Sequence, residues 1–215
     1  KNKIIKTISQ NQRADYYLHN KTDNNLLIKT YKGDELNINN NKLEKHEIYN
    51  ILFSIACSME AGATSCDVVE GLRNTINIKG RFFKINGYNG SNIIDSTYNA
   101  NPESFKASIS SLSKMNGKKW LIMGDMGELG KDAKKYHMEI VDFAKKNKVE
   151  KIFLISKYSK EIKNQFGDEA HSFSTTTELI EFIKPTITPN INILIKASRF
   201  MKFEAIVDAL SIGKY

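Results

Sequence analysis

Lys119-Trp120-Leu121-Ile122-Met123-Gly124-Asp125-Met126-Gly127-Glu128-Leu129-Gly130 sets an apolar run directly against a glycine-rich acidic turn. The run reads as a strand, and the glycines permit the tight backbone turns that follow it. The same unit recurs outward in both directions. Strands are expected at Phe82–Asn86, Asn92–Asp95, Lys119–Met123, Lys151–Ile155 and Ile191–Lys196, with a short one near Ser172. Helices are expected between them, at Pro102–Ser113, Ala133–Lys146, Ser159–Phe166, Thr177–Ile183 and Lys202–Leu210. Strands alternating with helices predict an α/β fold on a parallel sheet, where ligands gather at the carboxyl ends of the strands.

Upstream of Lys79-Gly80-Arg81 the pattern is different, which places a domain boundary near residue 79. Residues 1 to about 43 alternate short β-prone runs such as Leu26-Leu27-Ile28-Lys29-Thr30-Tyr31 with polar turns such as Lys32-Gly33-Asp34, as in a meander or the edge of a larger sheet. Ile48, Ile51, Leu52, Ile55 and Met59 then recur at helical spacing and predict a helix over Glu47–Met59 closed by Gly62. Thr64 and Asp67 resemble a capping box opening a second helix that carries Val68, Val69 and Leu72.

Composition narrows the function. The 215 residues are 40% hydrophobic and 26% charged, the balance of a globular protein rather than a disordered one. The net charge of +8 comes largely from lysines scattered among asparagines and isoleucines, as in Lys1-Asn2-Lys3 and Asn39-Asn40-Asn41-Lys42. That pattern reads as solvated surface, and no nucleic-acid partner is expected. Cys57 and Cys66 read as buried thiols in a reducing compartment, and the histidines are too far apart to suggest a metal site. No apolar run is long enough to span a bilayer, and the first residues lack the apolar core of a signal peptide, so a cytoplasmic protein is expected. The first residue is not methionine, and the true N-terminus is expected upstream.

Three motifs sit at expected strand ends. In Asp95-Ser96-Thr97-Tyr98-Asn99-Ala100-Asn101-Pro102-Glu103-Ser104, Asn101 suits an N-cap and Pro102 the first helical turn, so the helix would present free N–H groups and its positive end to an anion. A well-capped helix with no ligand accounts for the same residues. In the Gly124–Gly130 turn, Asp125 and Glu128 could orient an amine or a cation-bound ligand, although a glycine-rich acidic turn alone is weak evidence and its spacing matches no dinucleotide fingerprint. In Lys196-Ala197-Ser198-Arg199, Ser198 could cap the last helix, while Lys196 and Arg199 would put positive charge where anions approach; a capped helix with exposed basic residues is the plainer reading.

Taken in order, His46-x-x-Tyr49-Asn50, Gly80-Arg81-Phe82, Tyr98-Asn99-Ala100-Asn101-Pro102, Gly124-Asp125-Met126-x-Glu128-Leu129-Gly130 and Lys196-x-Ser198-Arg199 resemble the Mur ligases. The resemblance is strongest to the branch that adds D-alanyl-D-alanine to UDP-N-acetylmuramoyl-tripeptide. It implies that residues 1–79 are the end of a central ATP-binding domain and residues 80–215 a Rossmann-like C-terminal domain. It also implies a monomeric ligase using ATP and Mg2+, activating the tripeptide carboxylate as an acyl phosphate that the dipeptide amine attacks. By the same resemblance Asn50 would lie against adenine and Arg81 would reach the phosphates, with Asp95, Ser96 and Tyr98 completing the nucleotide contacts. Asn99, Asn101, Asp125, Lys196 and Arg199 are the candidates for the cleft where ATP and dipeptide meet.

Departures from the family pattern are few. Ser96 stands where relatives usually carry an aspartate, with Asp95 one place earlier; Glu47 replaces a common asparagine and Ala197 a usual glycine. No Gly-x-x-x-x-Gly-Lys-[Ser/Thr] phosphate loop occurs in the chain, so the family's phosphate loop, magnesium ligands and modified lysine would belong upstream. A second reading of the same residues is a non-catalytic nucleotide- or peptide-binding module derived from such a ligase.

Overall fold

The computed structural model describes residues 5–39, 43, 45–74 and 79–213, with the side chains of residues 45 and 46 outside that description. The lysine and asparagine runs at residues 1–3 and 40–42, and the His46 side chain, therefore lie outside the described residues. The chain divides into two compact units, residues 1–76 and 77–215.

In the first unit, β1 (Ile8–Ser9), β2 (Tyr16–Lys21), β3 (Asn25–Thr30) and β4 (Glu35–Asn39) form a sheet in chain order, with β1 parallel to β2 and the rest antiparallel. Strand periodicity puts Leu26 and Ile28 of β3 and Leu36 and Ile38 of β4 on one face. There they pack with Ile48, Leu52, Ile55 and Met59 of α1 (Lys45–Glu60) and Val68 of α2 (Ser65–Arg73). Thr64 and Asp67 close the expected capping box at the start of α2. The cysteines correct the sequence reading: Cys57 and Cys66 are both exposed. Cys57 lies off the Leu52–Ile55–Met59 stripe that faces the sheet, and Cys66 sits in the solvated first turn of α2.

The second unit is a six-stranded sheet in the order β5-β6-β10-β7-β8-β9: β5 Phe83–Asn86, β6 Asn92–Asp95, β7 Lys118–Gly124, β8 Lys151–Ile155, β9 Ala170–Ser172, β10 Ile191–Lys196. Five strands run parallel, but β5 pairs antiparallel with β6. The reason is length: the short turn Gly87–Ser91 can close a hairpin but cannot hold a crossover. β5 begins one residue later than expected because Phe82 takes a left-handed φ of 56°.

Successive residues of each central strand face opposite sides. Leu121, Met123, Ile152, Leu154 and Leu194 pack against α3 (Pro102–Ser113), α4 (Ala133–Lys146) and α5 (Ser159–Phe166). Trp120, Ile122, Phe153, Ile193 and Ile195 pack against α6 (Thr176–Ile183) and α7 (Glu204–Leu210). Both faces are thus covered, which is why the strands read as continuous apolar runs. α7 begins later than expected, after a 3-10 turn at Arg199–Met201 and a left-handed Lys202.

The turn into β7 depends on one glycine. Gly117 has φ +94°, and a Cβ there would lie 2.2 Å from the Asn190 carbonyl oxygen. Gly117→Ala is expected to destabilise the chain by more than about 1 kcal/mol, since alanine resists positive φ and the clash is with backbone. Urea unfolding of the variant beside wild type checks this, and equal midpoints would refute it.

Candidate functional site

β10 lies between β6 and β7, so the residues that follow these three strands meet at the carboxyl end of the sheet, although Ser198 and Ala100 are 98 positions apart in the chain. Ser198 joins them. Its hydroxyl accepts from the Gly127 N–H at 2.8 Å and donates to the Ala100 carbonyl at 3.3 Å, while its own N–H donates to the Asp125 carbonyl at 3.1 Å. The cap expected of Ser198 is not made, because its hydroxyl is committed to these longer-range bonds.

Lys196 corrects the sequence reading more sharply. It is 2% exposed rather than presented to solvent. On β10 it shares the parity of Leu194, the face that packs on α3, and its ammonium lies 5.4 Å from the centre of the Phe105 ring. Nζ donates to the Asn99 carbonyl at 2.9 Å, the Ser96 hydroxyl at 3.1 Å and the Ser96 carbonyl at 3.4 Å. Burial pulls its pKa down to about 8, against the partial support of Asp95.

Asp95 is 1% exposed and turns inward. One carboxylate oxygen accepts from the Gly80 N–H at 2.7 Å; the other accepts from the Thr97 N–H and hydroxyl at 3.0 and 2.7 Å. Tyr98 N–H in turn donates to the Gly80 carbonyl at 3.0 Å. At Gly80, φ is +80° and an added Cβ would sit 2.9 Å from the Tyr98 nitrogen, so only glycine allows this approach. The outcome is a fixed position for Arg81, whose guanidinium carbon stands 4.2 Å from the centre of the exposed Tyr98 ring. Arg199 lies 6.0 Å from the same ring but is also paired with Glu204. Ser96 is buried beside Ser108, with 3.3 Å between their hydroxyls.

Asn101 caps α3 through the Ser104 N–H at 2.8 Å, with the Ser104 hydroxyl returning to complete a capping box. Asn99 is exposed; its side chain accepts from the Ala100 N–H. Asn50 is exposed on α1 of the first unit. Asp125 points away from these groups, accepting from the Ser156 hydroxyl in a very short bond and from the Lys157 N–H at 3.4 Å. It lines a cavity of about 420 Å³ with Ser156, Lys157, Ser159 and Ser174 at the ends of β7, β8 and β9. The serines and lysine of this cavity carried no sequence signal, because isolated serines after a strand are ordinary loop residues. Thr97 did carry one: a threonine two residues after an aspartate is a common turn pairing.

A family model described as the Mur ligase glutamate ligase domain matches residues 80–199. The chain belongs to the Mur ligase family. It is 34% identical over 168 residues to the UDP-N-acetylmuramoyl-tripeptide–D-alanyl-D-alanine ligase of Escherichia coli, covering 77% of this chain and 37% of that relative. A MurF crystal structure from Acinetobacter baumannii superposes with a TM-score of 0.77 at 24% identity, over 94% of this chain and 46% of that one. MurF from Thermotoga maritima in complex with ADP superposes with a TM-score of 0.69 at 20% identity, over 94% and 47%. The chain therefore spans less than half the length of the Mur ligases it matches. Among its described residues no helix is long and apolar enough to cross a membrane.

Proposed function

We propose that this chain is the closing part of a cytoplasmic, monomeric, ATP-dependent ligase that joins D-alanyl-D-alanine to UDP-N-acetylmuramoyl-tripeptide. Residues 1–79 would end its central ATP-binding domain and residues 80–215 form its C-terminal domain. The observation that carries the reading is the Arg81–Tyr98 pair, held by Gly80 and Asp95 beside the capped start of α3. An exposed guanidinium seated on an aromatic ring beside the positive end of a helix fits the phosphates of a nucleotide. The ADP bound to the Thermotoga maritima relative is in keeping with that chemistry.

When bound, ATP supplies the phosphoryl group that converts the tripeptide carboxylate into an acyl phosphate. Arg81 would hold the anionic phosphates, with Tyr98 and Asn99 lining the approach, and Asn50 would meet the adenine from the central domain. The described residues contain no group of acidic or histidine ligands able to hold a metal ion, so no magnesium ligand is assigned within them.

The Asp125 cavity suits the incoming dipeptide, with its ammonium toward Asp125 and its carboxylate toward Lys157 and the serines. The ammonium first gives one proton to solvent; the freed nitrogen lone pair then forms the amide bond as the carbon–oxygen bond to phosphate breaks, phosphate leaves with the electron pair, and the second nitrogen proton passes to that phosphate. Orienting these partners, with developing charge neutralised in advance, is the protein's contribution.

A chimaera tests this directly. The Escherichia coli relative, with its matching C-terminal part replaced by this chain, is expected to release phosphate from ATP only when both the tripeptide nucleotide and D-alanyl-D-alanine are present. Release with free D-glutamate or diaminopimelate in place of the dipeptide would assign the chain to another branch.

A further inference from the structure

His137 lies fully buried on α4, beneath the Gly124–Gly130 turn, and no role for it was visible in the sequence. Its two ring nitrogens have different partners. Nδ1 lies 2.7 Å from the Ala133 carbonyl, and Nε2 lies 3.0 Å from the Met126 N–H. A carbonyl only accepts and an N–H only donates, so the ring must carry its proton on Nδ1 and be neutral. Burial favours the same state, holding the imidazole pKa below its usual value. The ring is packed at 4.8 Å between centroids against Tyr158 of the β8–α5 loop, which fixes its plane.

This neutrality matters for Asp125, whose Oδ1 is 3.5 Å from the same Nε2. An unprotonated nitrogen offers that oxygen no hydrogen. The carboxylate instead takes its donors from Ser156 and Lys157, at the wall of the cavity. A protonated ring would release the Met126 N–H and capture Asp125, turning the carboxylate back toward α4.

We propose that His137 is a positioning residue for the amine-binding step: as a neutral Nδ1–H imidazole it anchors Met126 and leaves Asp125 directed into the cavity. The inference rests on the reading of that cavity as the seat of the dipeptide amine. His137 touches no reacting atom and acts only through the turn.

Two measurements test it. Nitrogen NMR of the 215-residue chain is expected to show a neutral His137 ring protonated on Nδ1 at pH 7; an Nε2-protonated or charged ring would overturn the proposal whatever the chain's activity. In the complete ligase carrying this chain, His137→Phe is expected to raise the KM for D-alanyl-D-alanine about tenfold or more while the KM for ATP stays within about twofold, because small misplacements of an orienting group are costly. His137→Gln, whose carbonyl oxygen reaches the place of Nε2, is expected to recover most of that loss, and His137→Asn, which mimics Nδ1, is not. If His137→Phe lowers the melting temperature but leaves both KM values unchanged, or if both rise together, the residue is only part of the core and the proposal fails. A wild-type ligase that turns over without D-alanyl-D-alanine would instead refute the functional reading, leaving the NMR result to stand alone.

Discussion

Replacing Lys196 by methionine is expected to abolish a rise in stability that the wild-type chain shows between neutral pH and about pH 10. The folded-state pKa is about 8 against 10.5 for the free side chain, so between those values the unfolded chain binds a proton that the folded chain has released. Stability carried by this group therefore increases as pH rises through that window, by about 2 to 3 kcal/mol at about 1.4 kcal/mol per pKa unit. The methionine variant fills the space but has no proton to lose. It also leaves the Ser96 and Asn99 carbonyls without their donor, at a cost of about 1 to 3 kcal/mol for each that water does not reach. Urea unfolding of both proteins at pH 7 and pH 9.5 separates the effects. The carbonyl loss appears at both values, and the difference between proteins widens only at the higher. A gap that does not change with pH would mean that Lys196 is not desolvated as its 2% exposure indicates.

In the complete ligase, Arg81→Ala is expected to weaken ATP binding by roughly tenfold to a hundredfold, the worth of a charge-assisted contact of about 1.5 to 3 kcal/mol. Among the described residues no ion pair holds the Arg81 guanidinium; it rests on the Tyr98 ring and is free to take phosphate oxygens. Arg81→Lys should recover only part of the loss, because an ammonium neither stacks on the ring nor offers a two-pronged donor set. The same substitution should leave the folding stability of this chain nearly unchanged, since the side chain is exposed. Nucleotide titration by calorimetry decides the matter: unaltered affinity in Arg81→Ala would remove Arg81 from the nucleotide site. The contrast with Arg199, tied to Glu204 and farther from the Tyr98 ring, gives a second check. Arg199 must break a pair before it meets an anion, so its removal is expected to cost less.

Much of this was present in the linear sequence. The apolar runs at 119–123, 151–155 and 191–196 identified the central strands because a strand covered on both faces has no polar position to interrupt it. Asn101-Pro102 marked the start of α3 because capping is local chemistry, complete within four residues. The ordered motifs identified the family, since they record residues rather than positions in space. Even the burial of Lys196 was implicit, given that it continues the parity of Leu194 on a strand enclosed by helices.

What the sequence could not decide was adjacency. Right-handed crossovers carry β7, β8 and β9 outward on one face, through α3, α4 and α5, and return β10 on the other, into the gap between β6 and β7. Only that return brings Ser198 to Ala100 and Gly127 and Lys196 to Asn99, while the direct pairing of β7 with β8 brings the Asp125 carboxylate to Ser156. The exposure of Cys57 and Cys66 and the tautomer of His137 were fixed in the same way, by which surfaces meet. Periodicity reports how a segment divides its faces between core and solvent. It carries no information about which segment will cover them, because that choice is made by packing between residues far apart in the chain.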